Sequence, residues 1–462
     1  MLFENTYDVV IIGGGIGGIM TAYELIEKNP KLNILLLEKG ASLKDRKCPM
    51  IASGKGECLH CASCSIMSGM AGAGAFSDGK YILGTEYGGW LTDFLKEEVV
   101  MKYIYKADDI LVKFGATQKV YLPNDDIKRQ CLEHDLRLSQ AKLKHLGTDN
   151  NYFTMLSLIE DISKKVNILT HAKMIDVDKE RKTILFKYDN TEISVNAKHI
   201  VFAVGRSGSY QFRQWCNKNN IKCENNQVDL GVRVELPSII WDKFSKLIYE
   251  PKVWYTTKSY GDRVRMFCFN ERGHVVMENT DDVLTINGHS YAEEERKTNN
   301  SNFALLSTST FTEPFKEPIE YARYVASLAN KISGGSVLVQ RFGDLIQGRR
   351  TTAERLKKCT TIPTLNAVPG DLALCMPKRQ LDNIIETIYQ LDKIAPGTAN
   401  YDTLLYGIEC KYYATRPICN DFEISPNVYA IGDGGGYTRS LSHAAAHGLY
   451  IADKIIKRDE SI

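Results

Sequence analysis

The apolar residues near the two ends of this chain fall into short runs, and these runs predict the strands of one parallel sheet. Each run is rich in β-branched and aliphatic residues, which is typical of strands buried on both faces. A helical stretch follows the first run and the last. The predicted strands of this sheet are residues 7–12, 33–37, 199–205 and 428–431, and the predicted helices are residues 19–28 and 442–457.

The middle of the chain follows a different pattern, which predicts elements outside this sheet. Three successive strands form an excursion just before residues 199–205. From about residue 209 to residue 402, strands and helices mix without an internal repeat or a low-complexity stretch, which indicates an inserted α+β lobe. The predicted elements of the middle are helices at 91–114, 126–143, 152–165, 321–332 and 380–393, and strands at 167–176, 183–188, 192–196, 230–236, 253–257, 264–269 and 275–277.

A glycine-rich turn joins the first predicted strand to its helix. Gly13, Gly15 and Gly18 have G-x-G-x-x-G spacing, and Glu38 ends the next strand. Gly13 permits a tight turn, Gly15 lets the backbone approach a pyrophosphate, and Gly18 lets the helix pack closely on the strand. The helix start faces the phosphates, and an acid at the position of Glu38 binds a ribose. The pattern therefore predicts an adenine dinucleotide site.

A second group of small residues predicts which dinucleotide binds there. Gly432-Asp433 follows the last strand, and Asp433 is our candidate for the ribityl chain of a flavin, next to a helix whose dipole favours anionic reduced flavin. Residues 68–80 are so poor in large side chains that their backbone can lie against a flat ring. We therefore predict FAD rather than NAD. The further candidate FAD-binding residues are Lys39, Gly74, Ala75, Phe76, Ser77 and Gly205.

With FAD as the predicted cofactor, the expected fold and the expected domain boundaries follow. A chain of 462 residues is too long for one ordinary core. We expect an α/β fold with a Rossmann-like FAD-binding domain, which residues 1–208 and residues 403–462 form together. An inserted α+β substrate or cap domain is expected at residues 209–402. A second G-x-G-x-x-G does not occur in the insert, so a dedicated NAD(P)H domain is not predicted, and NAD(P)H as electron donor stays an open alternative.

Net charge and cysteine content limit the expected binding partners and the expected cellular compartment. The net charge of +2 creates no broad field to recruit nucleic acid or an anionic membrane. The first apolar run lacks a charged leader, and no apolar stretch is long enough to span a bilayer. We therefore expect a cytoplasmic protein without a nucleic-acid or membrane partner. The 12 cysteines would then be reduced, which favours metal binding, redox chemistry or burial over disulfides.

A cysteine cluster leaves several interpretations open. Cys58, Cys61 and Cys64 form C-x2-C-x2-C, with Cys48 upstream. The four thiolates could hold an iron–sulfur cluster, and a zinc site is a second alternative. A redox-active dithiol could exchange electrons with the flavin, because this segment follows the ribose-binding acid. Reduced, packed cysteines are the fourth alternative.

The candidate catalytic residues are three. Arg349 and Arg350 lie in the stretch Gln347-Gly348-Arg349-Arg350-Thr351-Thr352, where paired arginines and hydroxyls suit a carboxylate or phosphate. His443 shares a face of the last helix with His447, and one of them could protonate a substrate on the flavin. Solvated arginines and packed histidines are the alternatives.

Seven short segments together form a recognisable pattern: residues 7–15, 72–80, 145–149, 300–304, 343–345, 370–372 and 431–436. They resemble a prokaryotic family of FAD-dependent dehydrogenases, and the glycine loop with Phe76 is the most specific of them. The resemblance covers nearly the whole chain and implies FAD, a glutathione-reductase-like FAD domain and an oxidoreductase role; most members have no assigned substrate. Gly435 and Ser440 stand where alanine and glycine are commoner, which we expect to affect fit and not cofactor identity.

These observations predict an FAD-dependent oxidoreductase that moves a hydride or electrons between flavin and a small organic substrate. The substrate would bind between the FAD domain and the insert, at the mouth of the sheet. A flavin monooxygenase using NADPH and O2 is one alternative, although an additional Asp-Gly strand motif of the hydroxylase kind is not found. The other is an electron-transfer or redox-sensing flavoprotein that uses the cysteines and a redox partner protein.

Overall fold

The structure is a computed structural model that describes residues 4–49, 59, 61, 63–139, 141–280, 282–311, 314–315, 317–412 and 414–461. Its strands are β1 (Thr6–Ile12), β2 (Ile34–Leu37), β3 (Lys80–Leu83), β4 (Arg137–Ser139), β5 (Lys142–His145), β6 (Asn167–Leu169), β7 (Lys173–Asp178), β8 (Thr183–Tyr188), β9 (Thr191–Phe202), β10 (Cys223–Glu224), β11 (Val228–Pro237), β12 (Lys252–Thr256), β13 (Arg263–Asn270), β14 (His274–Thr280), β15 (Val283–His289), β16 (Asn300–Ser309), β17 (Leu338–Arg341), β18 (Val368–Pro369), β19 (Leu404–Tyr412), β20 (Arg416–Pro417), β21 (Glu423–Ser425) and β22 (Val428–Ala430). Its helices are α1 (Ile16–Lys28), α2 (Glu97–Lys113), α3 (Asp125–Leu132), α4 (Thr148–Ile162), α5 (Gly205–Lys218), α6 (Asp242–Ile248), α7 (Pro318–Ile332), α8 (Phe342–Ile346), α9 (Ala353–Lys357), α10 (Lys378–Asp392) and α11 (Leu441–Glu460).

The first sheet is built from both ends of the chain, as predicted. Its strand order is β21-β22-β9-β1-β2-β6, with the β7–β8 excursion attached to β9. The pairs β1–β2, β1–β9, β9–β22 and β2–β6 are all parallel. Every residue of β2 and β22 is buried, because helices and the rest of the domain cover both faces. This arrangement confirms the predicted α/β class with a Rossmann-like domain.

Two glycines bring the first and last helices of this domain together. A Cβ atom on Gly448 of α11 would lie 2.2 Å from the carbonyl oxygen of Gly17 in α1, so a larger residue has no room. The hydroxyl of Thr21 donates to the carbonyl oxygens of Gly17 at 2.8 Å and Gly448 at 3.2 Å. The close crossing holds the turn before α1 and the turn before α11 side by side, although more than 400 residues separate them.

The second sheet has the order β18-β17-β19-β11-β16-β13-β12-β4, and its pairs are antiparallel except β17–β18. One face packs on α6, α7 and α10, with Val232, Val264, Phe244 and Ile384 in the shared core. The other face looks toward the first domain. The hairpin β14–β15 belongs to this lobe but pairs outside the main sheet.

Several predicted elements were wrong in detail. The helix expected at 126–143 ends at Leu132; β4 and β5 follow, because Asp135 adopts φ +56° and reverses the chain. The strands predicted at 192–196 and 199–205 form the single strand β9, and Gly205 begins α5. The helix expected at 91–114 starts at Glu97. β4 and β19 belong to the second sheet although they lie outside residues 209–402. The predicted domain boundaries stay a prediction.

Within the described residues, none of the helices combines the length and the apolar character needed to cross a membrane.

Candidate active site

A cavity of about 470 Å³ lies where the first sheet faces the second. The carboxyl ends of β1, β2, β9 and β22 open into it, and so do the starts of α1, α5 and α11. In open α/β sheets this edge is the usual ligand site, because the helix starts offer unpaired N–H groups and a positive dipole end to an anion. The opposite wall comes from β12, β13 and the β14–β15 hairpin.

The turn between β1 and α1 has the shape of a phosphate cradle. A Cβ on Gly13 (φ +115°) would lie 2.3 Å from the carbonyl oxygen of Ala203, and one on Gly18 would lie 2.1 Å from that of Gly13. A Cβ on Gly15 would meet no atom within 4 Å, because Gly15 borders the cavity. The first and third glycines thus permit close packing, and the second leaves room for a ligand. The donor groups and the space fit the pyrophosphate of FAD.

Glu38 holds three glycine segments together at one end of the cavity. Its Oε2 accepts from the N–H of Gly14 at 2.8 Å, and its Oε1 accepts from those of Gly40 at 2.8 Å and Gly69 at 3.0 Å. An ionised carboxylate accepts about four hydrogen bonds, so Oε2 keeps capacity for a ligand hydroxyl. The neighbouring Lys39 donates from Nζ to the carbonyl oxygen of Ser207 at 2.8 Å. Glu38 and Lys39 both line the cavity.

The loop predicted to flank the flavin packs directly on the phosphate cradle. The N–H of Ala71 donates to the carbonyl oxygen of Gly14 at 2.8 Å, and Gly72–Phe76 forms a short 3-10 helix. The carbonyl oxygen of Gly74 accepts from Asn151 at 2.7 Å and from the Ser77 hydroxyl at 2.8 Å. Gly74, Phe76 and Ser77 line the cavity, whereas Ala75 is fully buried behind them. The backbone therefore forms much of this wall, as the small residues predicted.

Arg46 holds this loop in place, and sequence reasoning missed it. Its guanidinium donates to the carbonyl oxygens of Met70 and Gly72 at 2.7 Å each, Ile66 at 2.8 Å and Ser65 at 2.9 Å. The group lies 4.7 Å from the centre of the Phe76 ring. Burial lowers the pKa of Arg46 to about 10, so it stays charged at neutral pH. A single arginine between two loops carries no periodic signal by which the sequence could reveal this role.

The turn after β22 completes the cradle from the other end of the chain. Asp433 borders the cavity and accepts at Oδ1 from the Thr438 hydroxyl at 2.6 Å. Burial raises the pKa of Asp433, while that hydrogen bond and Arg206 oppose the rise. Gly432 adopts φ +70° and also borders the cavity. The turn thus places a carboxylate at the cavity, as expected for the ribityl side of FAD.

The two histidines of α11 support the turn rather than face the cavity. Nδ1 of His447 accepts from the N–H of Gly432 at 3.2 Å, and burial lowers the pKa of His447 to about 3. Nδ1 of His443 lies 2.8 Å from Oγ of Ser440, the residue that caps α11. Burial, followed by Arg439 and Lys252, lowers the pKa of His443 to about 4. His443 is 2% exposed and is not among the lining residues, so the structure brings it near the site but behind its wall.

Arg349 and Arg350 lie away from the other predicted site residues. They are exposed in the loop between α8 and α9, and neither borders the cavity. Nε of Arg349 lies 2.8 Å from Oδ1 of the buried Asp344, and its other end contacts the hydroxyl of Tyr401. The hydroxyl-rich pattern that suggested an anion site therefore serves an internal ion pair and a helix start, since Thr352 caps α9.

The cysteine prediction falls largely outside the described residues. Cys58 is not described; Cys61 is exposed, and Cys48 and Cys64 are partly buried. Among the residues that the structure describes, His, Cys, Asp and Glu side chains do not gather in groups of three or more that could hold a metal ion. The iron–sulfur, zinc and dithiol alternatives stay predictions.

A row of alternating charges crosses from the start of β3 to the second sheet, and sequence reasoning missed most of it. Asp78 and Lys80 are 2.8 Å apart, Lys80 and Glu250 3.8 Å, and Glu250 and Lys252 4.0 Å. All four border the cavity. Burial lowers the pKa of Lys252 to about 8, although Glu250 opposes the shift. A lysine with this pKa can hold or release a proton near neutral pH, which suits acid–base chemistry. The available signal was the acid–base pair Glu250 and Lys252, two residues apart at the start of β12.

The fold and cavity together define a flavoprotein oxidoreductase, and comparison with known families agrees. Residues 7–214 match the family described as pyridine nucleotide-disulphide oxidoreductase. Residues 228–412 match the family described as FAD-dependent protein, C-terminal domain-like. The chain is an FAD-dependent oxidoreductase with a Rossmann-like FAD-binding fold. The predicted cofactor, enzyme class and small-molecule type of substrate are thereby confirmed.

Individual relatives are distant. An uncharacterized protein of Clostridium beijerinckii is 26% identical over 473 residues, which span 97% of this chain and 80% of the relative. Glycine oxidase from Geobacillus kaustophilus is 11% identical, covering 98% of this chain and 95% of that one, with a TM-score of 0.42. L-Proline dehydrogenase from P. horikoshii is 12% identical, covering 99% and 95%, with a TM-score of 0.41.

Proposed function

We propose that this enzyme is a dehydrogenase or reductase that passes a hydride or an electron pair between FAD and a small organic molecule. The observation that carries the proposal is the continuity of the cavity, which runs from the glycine turns of the first sheet to the charged face of the second. A substrate bound against the second sheet would share one desolvated space with the flavin. When bound, FAD supplies the redox chemistry, and the protein supplies binding, orientation and proton transfer.

The proposed cofactor residues divide by the part of FAD that they serve. Gly13, Gly15 and Gly18 would bind or pack beside the pyrophosphate, and Glu38 and Lys39 would serve the adenosine. The remaining proposed residues serve the ribityl chain and the flavin: Gly74, Ala75, Phe76, Ser77, Gly205, Gly432 and Asp433. The proposal is supported because all of these residues line the cavity except Gly18 and Ala75, which pack behind its wall.

We further propose that the chain is a member of the prokaryotic FAD-dependent dehydrogenases that its motifs resemble. The supporting feature is the loop Gly74-Ala75-Phe76-Ser77, whose Phe76 packs under Arg46 and which follows the contact of Ala71 with the phosphate cradle. A separate NAD(P)H-binding domain is not part of this proposal. A redox partner protein is likewise outside it.

The decisive experiment is anaerobic purification followed by an absorbance spectrum, metal analysis and reduction trials. We expect yellow protein with flavin bands that bleach when a suitable alcohol, amine or carboxylic acid is supplied. Reduction by NADPH that is fast only with an aromatic substrate present would instead favour a monooxygenase. Broad brown absorbance with bound iron would favour electron transfer through the cysteines. Colourless protein that gains no flavin bands when FAD is added contradicts the proposal.

A further inference from the structure

Building on the proposed function, we propose that the substrate is a small organic carboxylate with a flat or apolar body. Its carboxylate would bind to Lys252 and Arg263 on the cavity-facing side of β12 and β13. These two residues then determine the charge class of substrate that the enzyme accepts. The argument rests on the register of the strands, on the aromatic neighbours of the cations and on the balance of charge in this part of the cavity.

The register gathers cationic and aromatic side chains on one face. Because side chains alternate along a strand, Lys252 and Trp254 share a face of β12, and Arg263, Arg265 and Phe267 share a face of β13. Trp254 pairs directly with Arg265. The residues between them, Val253, Tyr255, Val264 and Met266, belong to the lobe's hydrophobic core, although Val253 and Met266 also border the cavity. The cations are therefore held on the wall of the cavity by the sheet itself.

Each cation of this face lies against an aromatic ring. Nζ of Lys252 is 3.5 Å from the centre of the Tyr87 ring, and the guanidinium of Arg263 is 4.1 Å from that of Trp254. The guanidinium of Arg265 is 5.7 Å from the Phe267 ring. A ring face attracts a cation without neutralising it, so the positive charge stays available to a bound anion. The same rings offer apolar contact to the body of a substrate.

Acidic side chains neutralise only part of the positive charge on this face of β12 and β13. Arg265 forms an ion pair with the buried Asp229. The nearest acid to Lys252 is Glu250 at 4.0 Å, which also serves Lys80, and Arg439 approaches from the first domain. Besides burial, the charges of Arg265 and Arg439 lower the pKa of Arg263, which reports repulsion among the cations. An anion bound between them relieves that repulsion, whereas a bound cation increases it.

Three probes of one shape and different charge test the inference on the FAD-loaded enzyme. Benzoate, benzamide and benzylamine carry charges of −1, 0 and +1 on the same ring, and calorimetry with flavin difference spectra reports their binding without turnover. We expect benzoate to bind at least about tenfold more tightly than benzamide, and benzylamine to bind least. Inorganic phosphate serves as a fourth probe, because a site built for phosphate would prefer it to benzoate.

Matched variants assign the effect to this face. Lys252→Gln and Arg263→Gln should each weaken benzoate binding about tenfold and leave benzamide within about twofold. Arg137→Gln is the control: Arg137 also lies on Trp254, at 4.8 Å, but does not border the cavity, so benzoate binding should stay within about twofold. Equal affinity for benzoate and benzamide, tighter binding of phosphate, or an equal loss in Arg137→Gln would overturn the inference.

The proposed function and the carboxylate inference fail in different ways. Protein that binds no FAD, or bound FAD that no organic substrate reduces or reoxidises, contradicts the proposed function. Protein that binds and cycles FAD but shows no charge preference among the probes contradicts the inference alone. The calorimetric preference is read without any redox reaction, so the two outcomes stay separate.

Discussion

Arg46 illustrates how one side chain orders a loop that has few side chains of its own. Residues 68–77 consist mainly of glycine, alanine and serine, and such a loop loses much conformational entropy when it becomes ordered. Four carbonyl oxygens of residues 65–72 accept hydrogen bonds from the Arg46 guanidinium. Each bond to a charged donor contributes about 1.5–3 kcal/mol, so together they can offset this entropy.

We therefore expect Arg46→Lys to loosen the flavin-flanking loop. Lysine keeps the charge but lacks the planar fork, and its ammonium cannot reach four carbonyl groups in this geometry. The dissociation constant for FAD should rise about tenfold, which corresponds to about 1.4 kcal/mol. Fluorescence titration of the apoprotein with FAD measures it.

The control is Arg181→Lys, the same exchange at a side chain that is 85% exposed. It should leave FAD affinity unchanged. If Arg46→Lys binds FAD as tightly as the native protein, even with a lower unfolding temperature, the guanidinium supports the fold and not the cofactor loop.

Lys252 should make stability depend on pH in a direction set by its lowered pKa. Its pKa in the folded protein is about 8, against an ordinary value of 10.5, chiefly because of burial. Below pH 8 the amine is charged in both states, and the folded state bears the full cost of burying it. Between pH 8 and 10.5 the unfolded chain binds a proton that the folded chain has released, so stability rises with pH.

The measurement compares native protein with Lys252→Met at pH 7 and pH 10. The unfolding free energy of the native protein should rise relative to the variant, by an amount on the order of 1–3 kcal/mol. Lys128→Met, which removes an exposed lysine, should show no such change between the two pH values. If the difference in unfolding free energy between native protein and Lys252→Met stayed constant from pH 7 to pH 10, the lowered pKa would be contradicted.

At the scale of elements, the crossing of α1 and α11 decides whether the two halves of the site meet. Gly448→Ala should raise the intrinsic stability of α11, because alanine is the better helix former by about 1 kcal/mol. The added Cβ would however lie 2.2 Å from the Gly17 carbonyl oxygen and force the helices apart. Overpacking of this kind costs about 1–3 kcal/mol, so we expect lower stability and weaker FAD binding.

Thermal unfolding and FAD titration of Gly448→Ala show which effect is larger. Higher helix propensity would raise the unfolding temperature, whereas overpacking would lower it and weaken FAD binding. Lys457→Ala changes an exposed residue of the same helix and serves as the control for helix propensity, with no loss of FAD affinity expected. A more stable Gly448→Ala protein with unchanged FAD affinity would show that the helices tolerate a larger residue at the crossing.

The elements that could be predicted from the sequence are those whose pattern is local. The strand and helix around Gly13 and the turn at Gly432 follow from apolar runs and glycine spacing within a few residues. The helix predicted through Asp135 failed because the partners of β4 and β5 lie elsewhere in the chain: β4 pairs with β12, and β5 with β3. Pairing of this kind over long separations leaves little trace in the local pattern.

For the whole molecule, the turns that border the cavity from the first sheet could be predicted, but the side chains of the opposite wall could not. Gly15 and Asp433 belong to turns with a recognisable spacing, whereas Lys252 and Arg263 come to line one cavity only through the pairing of strands in the second sheet. Arg349 shows the converse limit, since its local pattern suits an anion site while its side chain forms an ion pair with Asp344 away from the cavity, and its catalytic role stays a prediction. Local spacing identifies groups that bind through backbone, and tertiary structure decides which side chains face the ligand.

Hydrogen exchange provides a test of the assembled site, because FAD should protect separate parts of the chain together. We expect addition of FAD to apoprotein to slow amide exchange in residues 13–18, 69–77 and 432–440 at the same FAD concentration. These three segments all line one cavity, and a ligand that binds the folded state suppresses their local opening. Residues 349–358 lie outside the cavity and should exchange at the same rate with and without FAD. Protection confined to residues 13–18 would mean that the ligand occupies the nucleotide half alone, and the assignment of Asp433 to the flavin half would fall.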